Sequence, residues 1–85
     1  MHNEKDLELV VQSSRGSKEF TFPREAKVTD LITTAAKTFG FSASDTFRIV
    51  LATNPGQPLQ AERTLVSYHL SDGTVLILTD VGSGV

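Results

Sequence analysis

Few residues in this 85-residue chain have types or spacings that could do chemistry. It contains no cysteine, which excludes a thiol nucleophile, a thiolate zinc site and a disulfide framework. Its two histidines, His2 and His69, are scattered and cannot make a metal site alone. His69 stands near Ser67, but no third member of a nucleophilic triad is in sight, and a solvated turn residue is the simpler reading. Lys18-Glu19 and Glu62-Arg63 read as ordinary surface charge, where exposed pairs contribute little. The expectation is a chain that is not an enzyme and holds no metal or cofactor. What remains is the end, Val81-Gly82-Ser83-Gly84-Val85, which follows the dense apolar run Val75-Leu76-Ile77-Leu78 after Thr79-Asp80. Either the body exists to present this tail, or the tail is frayed chain.

Length and charge bound the body. Eighty-five residues make one domain, whose elements must share a single core. A formal charge of −2 argues against a basic nucleic-acid footprint. The apolar runs are far shorter than a membrane span, and the polar start Met1-His2-Asn3-Glu4-Lys5 is not a secretory signal. A cytoplasmic domain without membrane or nucleic-acid partners is expected.

The elements that must position the tail follow from periodicity. Leu7, Leu9 and Val11 alternate on one face of a first strand, and Phe20 and Phe22 do so on a second. Ser13 to Ser17 turns between them, with Gly16 free to take a positive φ, and Pro23 ends the hairpin. Val28, Leu31, Ile32, Ala35 and Phe39 mark one helical face, with Thr29 as N-cap and Gly40 as the stop. Phe47 to Leu51 reads as a strand with Arg48 and Val50 facing out. Asn54-Pro55-Gly56-Gln57-Pro58 reads as turn punctuation, with a short strand starting at Leu59. A helical turn is expected within Arg63 to Leu70, and a final strand from Val75 to Thr79. This order predicts an α+β fold in two layers, a mixed sheet of four to five strands with one helix across one face. The last strand, if parallel to the first, is central and buried. Residues 1–5 are expected to be disordered, 6–80 to form the domain and 81–85 to be a flexible tail.

The segment from Gly56 onward resembles ubiquitin, and the β-grasp fold generally. Gly56, Leu59, Arg63-Thr64-Leu65, Tyr68, Leu70, Thr74, Leu76 and Leu78 carry the likeness, most specifically the Arg-Thr-Leu-x-x-Tyr-x-Leu run. The resemblance implies a β-grasp roll in which Tyr68 closes a loop by hydrogen bonding.

Three functions follow from the resemblance. The first is a protein modifier, similar to ubiquitin and the ubiquitin-fold modifier. Such a protein has its C-terminal glycine activated by an adenylating enzyme that binds ATP. A conjugating enzyme then carries it to an amine of a target lysine. Glycine suits this chemistry because the absent Cβ lets the backbone thread a narrow channel. The end here is not Gly-Gly; it is closer to the Val-Gly-Ser-Cys precursor end of the ubiquitin-fold modifier. The final Val85 implies a processing peptidase that removes Val85 to leave Gly84, or removes three residues to leave Gly82. From a strand ending near Asp80, four residues span at most roughly 14 Å and two only about 7 Å, which favours Gly84. The departure from Gly-Gly suggests a bacterial system. The second function is a sulfur carrier ending in a thiocarboxylate, like those of thiamine and molybdopterin synthesis. The third is a ubiquitin-like module that binds proteins without conjugation.

Ubiquitin is recognised largely through an apolar patch on the sheet's outer face. Laid on this chain, the patch falls at Ser14 or Arg15, near Ala52 or Thr53, and at Ile77 and Thr79, and only Ile77 is clearly apolar. Val10, Val50 and Ile77 would instead face out across adjacent strands beside Thr79 and form a relocated binding strip. The two best-known chain-linking lysines become Gln57 and Asp72, so the resemblance lends those linkages no support. Lys5, Lys18, Lys27 and Lys37 remain as possible acceptors.

Overall fold

The burial of Leu7, Leu9 and Val11 on one side of the first strand sets the register of everything that pairs with it. In the computed structural model, described for residues 6–42 and 46–81, the order is β1 (Asp6–Ser13), β2 (Gly16–Pro23), α1 (Val28–Phe39), β3 (Phe47–Leu51), β4 (Asn54–Pro58), a 3-10 turn (Leu65–Tyr68) and β5 (Thr74–Asp80). β1 and β2 pair antiparallel from Asp6↔Pro23 to Ser13↔Gly16. Gly16 closes their turn at φ +121°, where a side chain would be strained. The sheet order is β2-β1-β5-β3-β4. β5 is therefore the middle strand, parallel to β1 and antiparallel to β3. Leu76 and Leu78 on its inner face are buried against α1 and the loop residues Leu59, Leu65 and Leu70.

α1 buries Val28, Leu31, Ala35, Ala36 and Phe39, while Ile32 sits half-buried at the edge of that face. Its start differs from the sequence expectation. The N-cap is Lys27, not Thr29, and the Asp30 carboxylate reaches back to accept the Lys27 N–H at 3.2 Å. Two of the first free N–H groups are satisfied from afar: Val28 N–H donates to the Arg63 carbonyl and Thr29 N–H to that of Ala61, both at 2.9 Å. The helix ends as expected on Gly40, in the left-handed region at φ +81°.

The segment Asn54–Pro58, expected as a turn, is an edge strand, and the turn falls earlier at Ala52-Thr53. All five residues of β4 are exposed, so no apolar alternation marks it. Its prolines are tolerated because an edge strand need not use every N–H. Leu59, just beyond it, is buried, and its N–H donates to the Ile49 carbonyl at 2.8 Å.

All five phenylalanines of the chain form one row beneath the sheet. Phe22, Phe20, Phe39, Phe41 and Phe47 follow one another with ring centroids 6.0, 6.3, 6.4 and 5.4 Å apart. Arg15, from the β1–β2 turn, lies over Phe41 at 4.5 Å and donates to the carbonyls of Phe39 (3.4 Å) and Gly40 (2.9 Å). A cation at the carbonyl end of a helix complements its dipole, and the ring face adds a second attraction. Arg15→Ala is expected to lower the unfolding free energy by about 1 kcal/mol. Arg15→Lys should recover part of it through charge alone; urea melts of the three proteins measure the difference.

Candidate functional site

The tail leaves the sheet at a defined point. β5 is paired through its last residue, Asp80 standing opposite Phe47, and the Val81 N–H then donates to the Thr46 carbonyl at 2.9 Å. The Val81 side chain is 46% exposed, so the sheet holds the backbone of this residue while its side chain faces solvent. Reach is therefore counted from Val81, one residue later than the sequence suggested. Three residues to Gly84 extend at most roughly 10 Å, and one to Gly82 only about 3.5 Å. Gly82, Ser83, Gly84 and Val85 themselves lie outside the described residues, as do residues 1–5.

The helix-free face of the sheet carries an apolar patch whose membership differs from the expected strip. Val10 on β1 stands beside Val75 on β5, and Ile77 stands between Gln12 on β1 and Val50 on β3. Val10, Val75 and Ile77 are half-buried, and Thr79 beyond them is exposed opposite Arg48. Val50 does face outward, but at 6% exposure it offers a partner almost nothing. It is flanked by Ile77 on one side and Pro58 on the other. Val75 takes its place in the accessible patch. Its contribution was hidden in the sequence because only the parallel register brings it beside Val10. Arg15 takes no part in this face, since its guanidinium is committed to the helix end.

The remaining candidates are occupied by local structure. Ser67 Oγ donates to the Thr64 carbonyl at 2.7 Å. His69 is exposed and ends the 3-10 turn in the left-handed region at φ +57°. The Tyr68 hydroxyl accepts the Gln60 N–H at 2.7 Å, and the Arg63 guanidinium covers its ring at 4.7 Å. This bond ties the loop after β4 to the 3-10 turn. Lys18, Lys27 and Lys37 are all exposed, and Lys5 lies outside the described residues. Among the described residues no group of three or more His, Asp or Glu side chains could hold a metal ion. No helix among them is long and apolar enough to cross a membrane.

No family model matches the chain, and no curated protein matches it in sequence. Its fold is nevertheless shared widely among solved structures. A chain of a pParkin–pUb–UbcH7 complex aligns with a TM-score of 0.77 and 14% identity over 91% of this chain. This chain spans only 23% of that one. A structure described as molecular mimicry of SUMO that promotes DNA repair aligns with a TM-score of 0.76 and 22% identity, covering 91% of this chain and 94% of the other. A protein designed de novo on the basis of ubiquitin aligns with a TM-score of 0.78 and 19% identity, covering 96% of both. At these identities the likeness concerns the backbone alone.

Proposed function

We propose that this chain, whose fold is the ubiquitin-like β-grasp, is a cytoplasmic protein modifier activated at Gly84 after a peptidase removes Val85. In the first step the Gly84 carboxylate attacks the α-phosphate of ATP on an activating enzyme, and pyrophosphate leaves. The acyl adenylate then passes to an enzyme thiol with loss of AMP. A conjugating enzyme presents the resulting thioester to a lysine amine, which forms the isopeptide bond and releases the thiol. None of these steps needs a catalytic group from the modifier. Its own contribution is a rigid body and a chain end of fixed origin.

The observation that supports this reading is the pairing of β5, with β1 as far as Ile77 and with β3 through Asp80, extended by the Val81 N–H to Thr46. The middle of β5 is held from both sides and its last residues by β3, so the tail departs from a defined point of the sheet. ATP–pyrophosphate exchange with a candidate activating enzyme tests it, comparing chains that end at Gly82, Gly84 and Val85. Exchange confined to the Gly84 form is expected; equal exchange, or none, from all three overturns the assignment.

A second reading is favoured by the Val10, Val75 and Ile77 patch. A module that binds proteins without conjugation would use the same face, since contiguous apolar area marks an interaction site. Ile77→Glu places a carboxylate in the middle of that patch and is expected to weaken partner binding about 30-fold or more, a loss on the scale of an interface hot spot. The thermal midpoint should hardly move. Unchanged affinity in titration calorimetry removes the patch from consideration in both readings.

A further inference from the structure

On the opposite layer of the molecule, α1 and the start of β3 enclose a groove of about 360 Å3 that no function described above uses. Ile32, Thr33 and Ala36 form its helix wall, and the Phe41 and Phe47 rings, edge to face at 5.4 Å, form the other. From Thr29 at one end to Lys37 at the other, the helix rises about 12 Å, enough for two or three side chains in a row. Lys37 is the one charged residue among the described residues that line it. Arg15, stacked on Phe41, adds a second positive charge beside that wall.

We infer that this groove is a docking site for a short peptide segment carrying two neighbouring apolar side chains and a carboxylate, supplied by the protein that handles the tail. Two features select that occupant. Among the described residues the lining is mostly apolar, with two threonines and a single ammonium at its rim, which matches apolar anchors followed by an acid. The groove is also continuous with the tail's point of departure: Phe47 in its wall pairs with Asp80, and Thr46 beside it accepts the Val81 N–H. A partner seated here therefore lies next to the chain end, and it reads body and tail together. The identity of the partner rests on the modifier reading; the binding chemistry of the groove does not.

The test titrates the full chain, labelled with 15N and 13C, with the blocked peptide acetyl-Gly-Leu-Leu-Asp-Gly-amide and its Asn counterpart. Shift changes should concentrate on the Ile32 and Ala36 methyls and on the Phe41 and Phe47 rings. The Asp→Asn peptide and the Lys37→Glu chain should each bind about threefold to fivefold more weakly, the scale of a half-exposed ion pair. Ile32→Asp should abolish the response. If it also disturbs the fold, the Lys37→Glu variant, at an exposed position, still decides. Shifts confined to Val10, Val75 and Ile77, no shifts at millimolar peptide, or indifference to Lys37→Glu overturn the inference. So do groove shifts that depend on protein concentration without peptide, which would assign the surface to a second copy. Because the titration does not involve the terminal glycine, its failure leaves the modifier reading standing, and absent pyrophosphate exchange leaves the groove standing.

Discussion

Leu76→Ala is expected to lower the unfolding free energy by about 3 kcal/mol, whereas Ile77→Ala next to it should cost less than about 1 kcal/mol. Leu76 is fully buried in the middle strand, opposite Val11 on β1 and Leu51 on β3. Truncating it leaves a void beneath the centre of the sheet, which neighbours paired on both sides cannot collapse to fill. Ile77 points the other way and is already partly in water. For a domain of this size, 3 kcal/mol corresponds to a fall of about 15 °C in thermal midpoint. It is also a large share of the total stability of about 5 kcal/mol that a small domain has. Thermal melts of both variants measure the contrast. A loss at Ile77 equal to that at Leu76 would mean that the outer face is not a surface at all.

The largest functional effect belongs to the tail. A chain ending at Gly84 is expected to support adenylation about 100-fold faster than one ending at Val85. One extra residue moves the carboxylate by about 3.5 Å, and displacement of a reacting group by as little as about 1 Å costs a factor of this order. A chain ending at Gly82 should fail for the converse reason. Its carboxylate lies one residue beyond Val81, whose N–H is held by the Thr46 carbonyl, too close to the body to enter a channel. Gly84→Ala, with the length unchanged, separates reach from width: it adds only a Cβ, and it should lower exchange because that atom narrows the passage. Initial rates of pyrophosphate exchange at fixed enzyme give all three ratios. Comparable rates at Gly84 and Val85 would show that no processing is needed.

The strands that bury alternate side chains were legible because a half-buried strand writes its register into the sequence. Leu7, Leu9 and Val11, and Phe20 and Phe22, show it; β3 shows it less cleanly, because Val50 is buried beside Ile49. β4 was not legible, since Asn54–Pro58 buries nothing and is held only by backbone bonds to β3. The helix start was misplaced for a related reason. The carbonyls of Ala61 and Arg63, more than thirty residues away, receive N–H groups that a local cap would otherwise have to satisfy. The surfaces were harder still. Ile32 reads as one more core residue until the rotation of the helix is known, and only then does it become the wall of a groove. Likewise Val75 joins the outer patch only through its parallel neighbour Val10. Arg15 gave no signal of its attachment to the helix end, because charge in a turn is most often solvated.

The parallel pairing of the first strand with the last has a consequence for how the protein is born. Translation delivers β1 well before β5, so the middle of the sheet cannot close until β5 has been made. The hairpin and helix emerge with their apolar faces lacking the strand between β1 and β3 that should cover them, a state open to misassociation. Joining two ends so distant in sequence also slows the final step. Yet this late step sets an order on events. The glycines follow β5 out of the ribosome, and they are attached to a finished sheet or to none. On the proposed modifier reading, an enzyme that grips the body before it reaches the terminus would act only on chains whose sheet has closed.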